Sequence, residues 1–505
     1  MNLISMLQDT VKQHPDNIAI VLGEQRLSYT ELDETSSRVA NALRELKVKK
    51  GDRIVMLLPN SLEFAVIFFG IVKAGGIAVP LDTRYHIEEL DSFFKNSTPS
   101  VLFGESPYLE SILPVLSRFQ SIQHVICLGS SDKDKLLSYS EIINTYPTDD
   151  VAVDIIPDDV GVISYTGGPT NNPHGAVITH RNLVTEAIIS SDGFQQTDKD
   201  VIMIFALPMF HMFGMTAVLL GSVNTGSTII VVPGTGISIN SLMEAIEREQ
   251  GTILLGVPYI YALAVMIAKR EGIHNSLKTL RLCVSGGAPL PINTIRQFKK
   301  YYSITLIDIW GLTEAVCHVT SQPIDGTGTL GASGKALPGW EMKIVDINDV
   351  ELPPNESGEI IIRGPIMDGY YNNPAATSRV VKNGWLYTGD IGKLDKAGFL
   401  YITGRKKRMI ILKGQNVYPD DIEVILRTHP RVAGARVMGK PDKLRGEIVI
   451  AYIILKDGEE ATAQEIKSFC AERIADFKIP KQILFTDTLP EMSAVNMFQE
   501  EPSPS

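Results

Sequence analysis

The sequence predicts an α/β fold in two unequal parts, and three observations carry that prediction. Apolar runs such as Ile54-Val55-Met56-Leu57-Leu58 and Thr228-Ile229-Ile230-Val231-Val232 are unbroken. Unbroken runs suit strands covered on both faces, as in parallel sheets flanked by helices. Near residue 335 the texture shifts to short strands parted by Gly, Pro and Asn. A basic run, Gly404-Arg405-Lys406-Lys407-Arg408, then precedes a segment of about 100 residues, enough for a small domain.

Taken in order, residues 54–58 read as a buried strand, 61–73 as a helix and 76–80 as a strand. Further buried strands are expected at 100–103, 125–128, 160–164, 227–232 and 280–284. Such alternation builds two α/β subdomains. Residues 341–345, 358–363 and 399–403 predict a β-rich subdomain. Beyond the basic run, helices at 419–428 and 463–474 with strands at 434–439 and 448–455 predict a small α+β unit. The domains expected are therefore 1–403, a hinge at 404–408 and a C-terminal domain at 409–505. Its last residues, 500–505, are polar, Pro-rich and expected to fray.

Composition narrows the function. Of 505 residues, 44% are hydrophobic and 21% charged, a soluble globular balance spread over more than one domain. The net charge of -11 argues against a nucleic-acid binder, whose footprint is a basic face. Cys127, Cys283, Cys317 and Cys470 lie far apart, which suggests neither a zinc site nor a disulfide framework. A reducing, cytoplasmic setting is expected. Residues 1–12 lack the apolar core of a signal peptide. Residues 64–80 are interrupted by Lys73, and 201–233 by Pro208, His211 and Asn224. Both fall short of a clean span of about 20 residues, so no integral membrane segment is expected.

The most informative segment is Tyr165-Thr166-Gly167-Gly168-Pro169-Thr170-Asn171-Asn172-Pro173-His174-Gly175-Ala176. It offers backbone N–H groups and hydroxyls to an anion. Its Gly, Pro and Asn content also describes a plain hairpin loop. It is not a Walker loop, because no Gly-Lys-Ser/Thr ends it. It resembles the phosphate loop of adenylate-forming enzymes, Tyr-Thr-Ser-Gly-Thr-Thr-Gly-x-Pro-Lys-Gly. Tyr165, Thr166, Gly168, Thr170, Pro173 and Gly175 match. Gly167 stands for a serine, Pro169 for a threonine, Asn171 for a glycine and His174 for the lysine.

The resemblance extends along nearly the whole chain and is nearest to the acyl-CoA synthetase, or fatty-acid-CoA ligase, type. Leu27-Ser28-Tyr29-Thr30-Glu31-Leu32 and Lys73-Ala74-Gly75-Gly76 resemble early family motifs. The resemblance implies that His211, in Leu207-Pro208-Met209-Phe210-His211-Met212-Phe213-Gly214, is a wall of the acyl pocket that moves between steps. It places Gly286, Gly287 and Ala288 beside adenine and the acyl group, as part of Ser285-Gly286-Gly287-Ala288-Pro289-Leu290. Trp310-Gly311-Leu312-Thr313-Glu314 resembles Tyr-Gly-Leu-Thr-Glu. Trp310 then stacks adenine, Gly311 and Thr313 border the nucleotide, and Glu314, with Thr170, holds Mg²⁺. Thr166, Gly168 and Thr170 line the phosphates. Asp390, in Tyr387-Thr388-Gly389-Asp390, accepts the ribose hydroxyls, and Arg405 supplies a cation to ribose or α-phosphate. Lys407 takes the hinge position, about which the smaller domain moves. Gly414 and Gln415, in Lys413-Gly414-Gln415-Asn416-Val417-Tyr418-Pro419, face the site in the thioester step, where a pantetheine arm passes close to Gly414.

The chain departs from the pattern in two places. Besides His174, the C-terminal motif Leu-Pro-x-x-x-x-Gly-Lys-Ile-x-Arg has become Leu489-Pro490 followed by Val495, Asn496 and Gln499 at the glycine, lysine and arginine. Asn496 stands where the catalytic lysine is expected. Both lysine cations around the transferring group are absent, while the AMP side is retained. The resemblance implies a ligase that joins a carboxylic acid to CoA through acyl-AMP, using ATP, Mg²⁺ and CoA, with the adenylation step impaired. Met209, Phe210, Met212 and Phe213, with small Gly286, Gly287 and Ala288, suggest an apolar acyl chain or an aromatic acid, and the resemblance to fatty-acid-CoA ligases implies a medium- or long-chain acid. Two alternatives stand beside this. One is a non-catalytic or regulatory homologue that holds AMP, acyl-AMP or acyl-CoA. The other is acyl transfer to the thiol of a separate carrier protein.

Overall fold

The central strands are largely apolar because both their faces are covered. Leu282–Ser285 and Ile253–Gly256 bury every residue, as parallel strands between two helical layers do. A computed structural model describes residues 1–129, 136–166, 173–232, 239–271, 277–406, 409–442 and 444–490. Among these, a nine-stranded sheet runs through Leu306–Trp310, Leu282–Ser285, Ile253–Gly256, Val201–Ile204 and Thr228–Val231 in that order, all parallel. An eight-stranded sheet is centred on Arg53–Leu57, Ile77–Pro80 and Val101–Glu105, again parallel.

Helices between strands start where capping chemistry allows. Leu62–Lys73 begins after Ser61, whose side chain accepts the Phe64 N–H, and Glu63 lies in its first turn. Both features favour a helix N-terminus. Lys73, at the end of this apolar helix, is only 2% exposed. Its ammonium donates to Asp33 Oδ1 at 2.6 Å and to Ser37 Oγ at 2.8 Å, so the buried charge is paired. Among the described residues no helix is long and apolar enough to cross a membrane.

The edges depart from the parallel expectation. Val160–Thr166 and His174–Thr179 pair antiparallel, and Gly369–Tyr370 adds antiparallel outside them. The connection from Thr166 to His174 is too short for a parallel crossover, which needs roughly a dozen residues. The two strands that flank this segment therefore form a hairpin.

The β-rich part is a separate five-stranded sheet of Glu341–Val345, Gly358–Arg363, Trp385–Leu394, Val381–Lys382 and Leu400–Arg405. Its last strand carries Gly404 and Arg405, and the next strand, Ile410–Leu412, belongs to another sheet. That second five-stranded sheet, with helices Pro419–Arg427 and Ala463–Ala471, encloses its own core of Ile422, Leu426, Val437, Ile453 and Ile466. The result is a large N-terminal unit of two α/β sheets plus a β-rich sheet, and a small α+β unit at the C-terminus.

Candidate active site

The strand Leu306–Trp310 ends at the parallel sheet's carboxyl edge, where α/β proteins place ligands. The chain then turns tightly. A Cβ on Gly311 would lie 1.5 Å from the Cys317 carbonyl oxygen, so only glycine fits. Thr313–Ala315 forms one 3₁₀ turn, closed by Val316 at a φ of 64°. That value is strained for a β-branched residue. The turn presents Glu314.

Glu314 is held by Tyr370, whose hydroxyl donates to its Oε1 at 2.7 Å. Burial, followed by the neighbouring Glu314 charge, pushes the Tyr370 phenol well above its ordinary range, so it remains a donor. The His174 ring stacks on Tyr370 at 4.7 Å between centroids and 24° between planes. The residue at the lysine position of the loop therefore packs on an aromatic ring. The Thr166 hydroxyl donates across the hairpin to the His174 carbonyl at 3.3 Å. Tyr165 anchors the loop's start by donating to Asn96 Oδ1 at 2.6 Å.

A second group gathers Trp310, Asp390 and Arg405. The Trp310 indole N–H donates to Asp390 Oδ2 at 2.9 Å, and Arg405 Nε stands 2.7 Å from Asp390 Oδ1. Trp310 is 5% exposed and Asp390 6%. The tryptophan thus orients the aspartate, a contact that its aromatic face alone did not suggest. Asp390 and Arg405 are cross-strand partners, which fixes their spacing.

Gly286, Gly287 and Ala288 follow Leu282–Ser285 at the same sheet edge. Phe213 and Ile309 pack over Gly286, with carbons 3.1 Å and 2.9 Å from where its Cβ would be. Met209, Met212 and Phe213 are buried in the main core. His211 is half-buried, and burial holds its imidazole below the usual range, which favours the neutral ring. Across the site, the Gly414 carbonyl oxygen lies 3.6 Å from the Cβ position of Gly287. The turn that carries Gly414 and Gln415 belongs to the C-terminal unit, so the two units meet at this edge. Gly168, Thr170, Lys407 and Asn496 lie outside the described residues.

Among the described residues no group of three or more His, Cys, Asp and Glu gathers around a metal position. A single carboxylate on an oriented turn still suits Mg²⁺, which takes one or two carboxylates with phosphate oxygens and water. Sequence reasoning missed Tyr370, because a neutral tyrosine between Gly369 and Tyr371 carries no charge or spacing signal.

Comparison with known proteins places the chain in a family. A family model described as AMP-binding enzyme matches residues 7–371, and one described as AMP-binding enzyme C-terminal domain matches 421–494. The chain belongs to the AMP-binding enzyme family. A long-chain-fatty-acid–CoA ligase of Bacillus subtilis is 30% identical over 524 residues, covering 97% of this chain and 92% of that protein. An oxalate–CoA ligase of Arabidopsis thaliana is 29% identical over 506 residues, covering 97% and 96%. Among solved structures, a double mutant of o-succinylbenzoate CoA synthetase from Bacillus subtilis, bound to a product analogue, matches with a TM-score of 0.83. It is 27% identical and covers 97% of this chain and 96% of that one. ATP-bound MatB from Rhodopseudomonas palustris matches with a TM-score of 0.74 at 29% identity, covering 98% and 97%. The family is thus one of adenylate-forming carboxylic acid–CoA ligases.

Proposed function

We propose that this protein is an AMP-forming ligase that joins an apolar carboxylic acid, of medium or long chain, to CoA, and that its first step is slow. The observation that carries the reading is the meeting of Gly414 with Gly287 beside the Trp310–Asp390–Arg405 group. In the first step a carboxylate oxygen bonds to the α-phosphorus of ATP and pyrophosphate leaves. In the second, the CoA sulfur bonds to the acyl carbon and AMP leaves. Asp390 and Arg405 would hold the nucleotide through both steps. Glu314, fixed by Tyr370, would hold Mg²⁺, which supplies charge neutralisation at the phosphates. The neutral His211 would line the acyl side.

The slow first step is inferred from His174 and Asn496. Losing one preorganised electrostatic contact costs about 10²–10³ in rate. A second reading, a binding homologue that holds AMP or acyl-AMP without making it, is favoured by the stacking of His174 on Tyr370. Pyrophosphate exchange across a panel of acids, from acetate and oxalate to palmitate, separates the two. Exchange with decanoate or palmitate, followed by thioester formation with CoA, is the expected result. Binding of AMP with no exchange for any acid would favour the homologue. Exchange with oxalate alone would overturn the apolar substrate.

A further inference from the structure

The two units are joined by a buried ion pair that none of the site chemistry uses. Glu89, on the helix Ile87–Ser97 of the N-terminal unit, pairs with Lys478 of the C-terminal unit. Their side chains are 6% and 9% exposed. The same carboxylate accepts the Ala475 N–H at 3.0 Å, so it is bound to the partner unit twice. On its own helix it accepts the His86 N–H at 3.2 Å. Around the pair, the Lys478 ammonium stands 4.9 Å from the Tyr85 ring centre, and the Arg84 guanidinium 4.5 Å from that of Phe477. With the Gln415 amide turned so that its oxygen faces Arg84, that oxygen accepts at 2.7 and 3.0 Å. Asp82 fixes Arg84 through Nε at 2.9 Å. Every one of these contacts, except those of Glu89 to His86 and of Arg84 to Asp82, crosses between the units.

We propose that Glu89 and Lys478 are a positioning pair, a charge latch that holds the C-terminal unit with its Gly414 turn against Gly287. The proposal rests on reading that turn as the one used in thioester formation. Two buried charges stabilise an interface only while both are present, and removing one strands the other out of water. In any arrangement that separates the units at this contact, both charges return to solvent and nothing is stranded. Removing one partner therefore acts against this one arrangement. Removing both should act less, because a neutral pair carries no stranded charge.

The test is a double-mutant cycle with Glu89→Gln and Lys478→Met. Thioester formation from synthetic decanoyl-AMP and CoA should fall at least tenfold in each single variant and recover to within about threefold in the double variant. Affinity for AMP should be unchanged. A second measurement does not depend on catalysis. The four native cysteines are buried, so Glu110→Cys and Asp457→Cys, at exposed positions of the two units, can carry spin labels. Their distance distribution should be narrow in the unmodified chain, broaden or shift in each single variant and narrow again in the double. An unchanged distribution in both single variants overturns the latch, whatever the activity. A changed distribution without loss of thioester formation leaves the latch standing and overturns its link to the thioester step.

Discussion

At the scale of single residues, Tyr370 is the least expected member of the site. Its hydroxyl reaches Glu314 across 56 positions of sequence, and nothing local to either residue announces the contact. Glu314, Asp390 and Arg405 stand out as candidates in the sequence because each sits in a short ordered motif. Their mutual arrangement was not legible there, since it depends on which strands pair. Tyr370→Phe removes the hydroxyl and keeps the ring on which His174 stacks. Partners that orient a metal-binding carboxylate are worth about 10- to 100-fold in metal affinity. We expect the Mg²⁺ concentration that supports ATP binding to rise by about tenfold or more, with AMP affinity within about twofold of the unmodified protein. Calorimetric titration of Mg²⁺ at fixed ATP measures the first, and titration with AMP the second. An unchanged Mg²⁺ midpoint would leave Tyr370 only a packing role.

At the scale of elements, the turn carrying Gly414 joins local backbone chemistry to the site. Gly414 has a φ of 82°, which glycine adopts at no steric cost, and a Cβ there would lie 2.4 Å from Val257 Cγ1. Gly414→Ala meets both obstacles, so the turn must back away from Gly287. Thioester formation from supplied acyl-AMP is expected to fall about tenfold or more, while pyrophosphate exchange stays within about twofold. Equal losses in both assays would place the glycine's role in folding. Strands and helices themselves were largely readable. Glu341–Val345 and Gly358–Arg363 coincide with their sequence readings, and Pro419–Arg427 differs by one residue. The helix read over 463–474 stops at Ala471 and continues as a turn, with the Ile474 N–H bonding to the Cys470 carbonyl. The sequence left the segment between 160–166 and 174–179 open between a phosphate loop and a plain hairpin loop, and the flanking strands do pair as a hairpin. Gly, Pro and Asn content suits either reading, and the short connection decides the strand direction.

At the scale of the whole molecule, the question is whether two missing cations set the rate of the first step. His174 is where the phosphate-loop lysine of the resembling motif stands, and Asn496 is where the C-terminal lysine stands. If charge limits adenylation, restoring it should restore rate. Asn496→Lys with Val495→Gly supplies one cation and the flexibility of the usual turn. His174→Lys supplies the other, and gives up the stack on Tyr370, which is worth about 0.5–1.5 kcal/mol. A lysine in place of an uncharged donor makes a contact to phosphate roughly twice as strong. The C-terminal pair is therefore expected to raise acyl-AMP formation about tenfold, equal to about 1.4 kcal/mol of barrier. His174→Lys alone should do less, because its gain is offset by the lost ring contact. The two together need not add, since both act on one transferring group. Thioester formation from supplied acyl-AMP should stay within about twofold throughout, because Gly414, Asp390 and Arg405 are untouched. Pyrophosphate release from ATP and CoA thioester from synthetic acyl-AMP, measured on the same four proteins, make the comparison. A faster second step with an unchanged first would show that the cations act elsewhere. No gain in either would mean that another group already performs the role of the lost lysines.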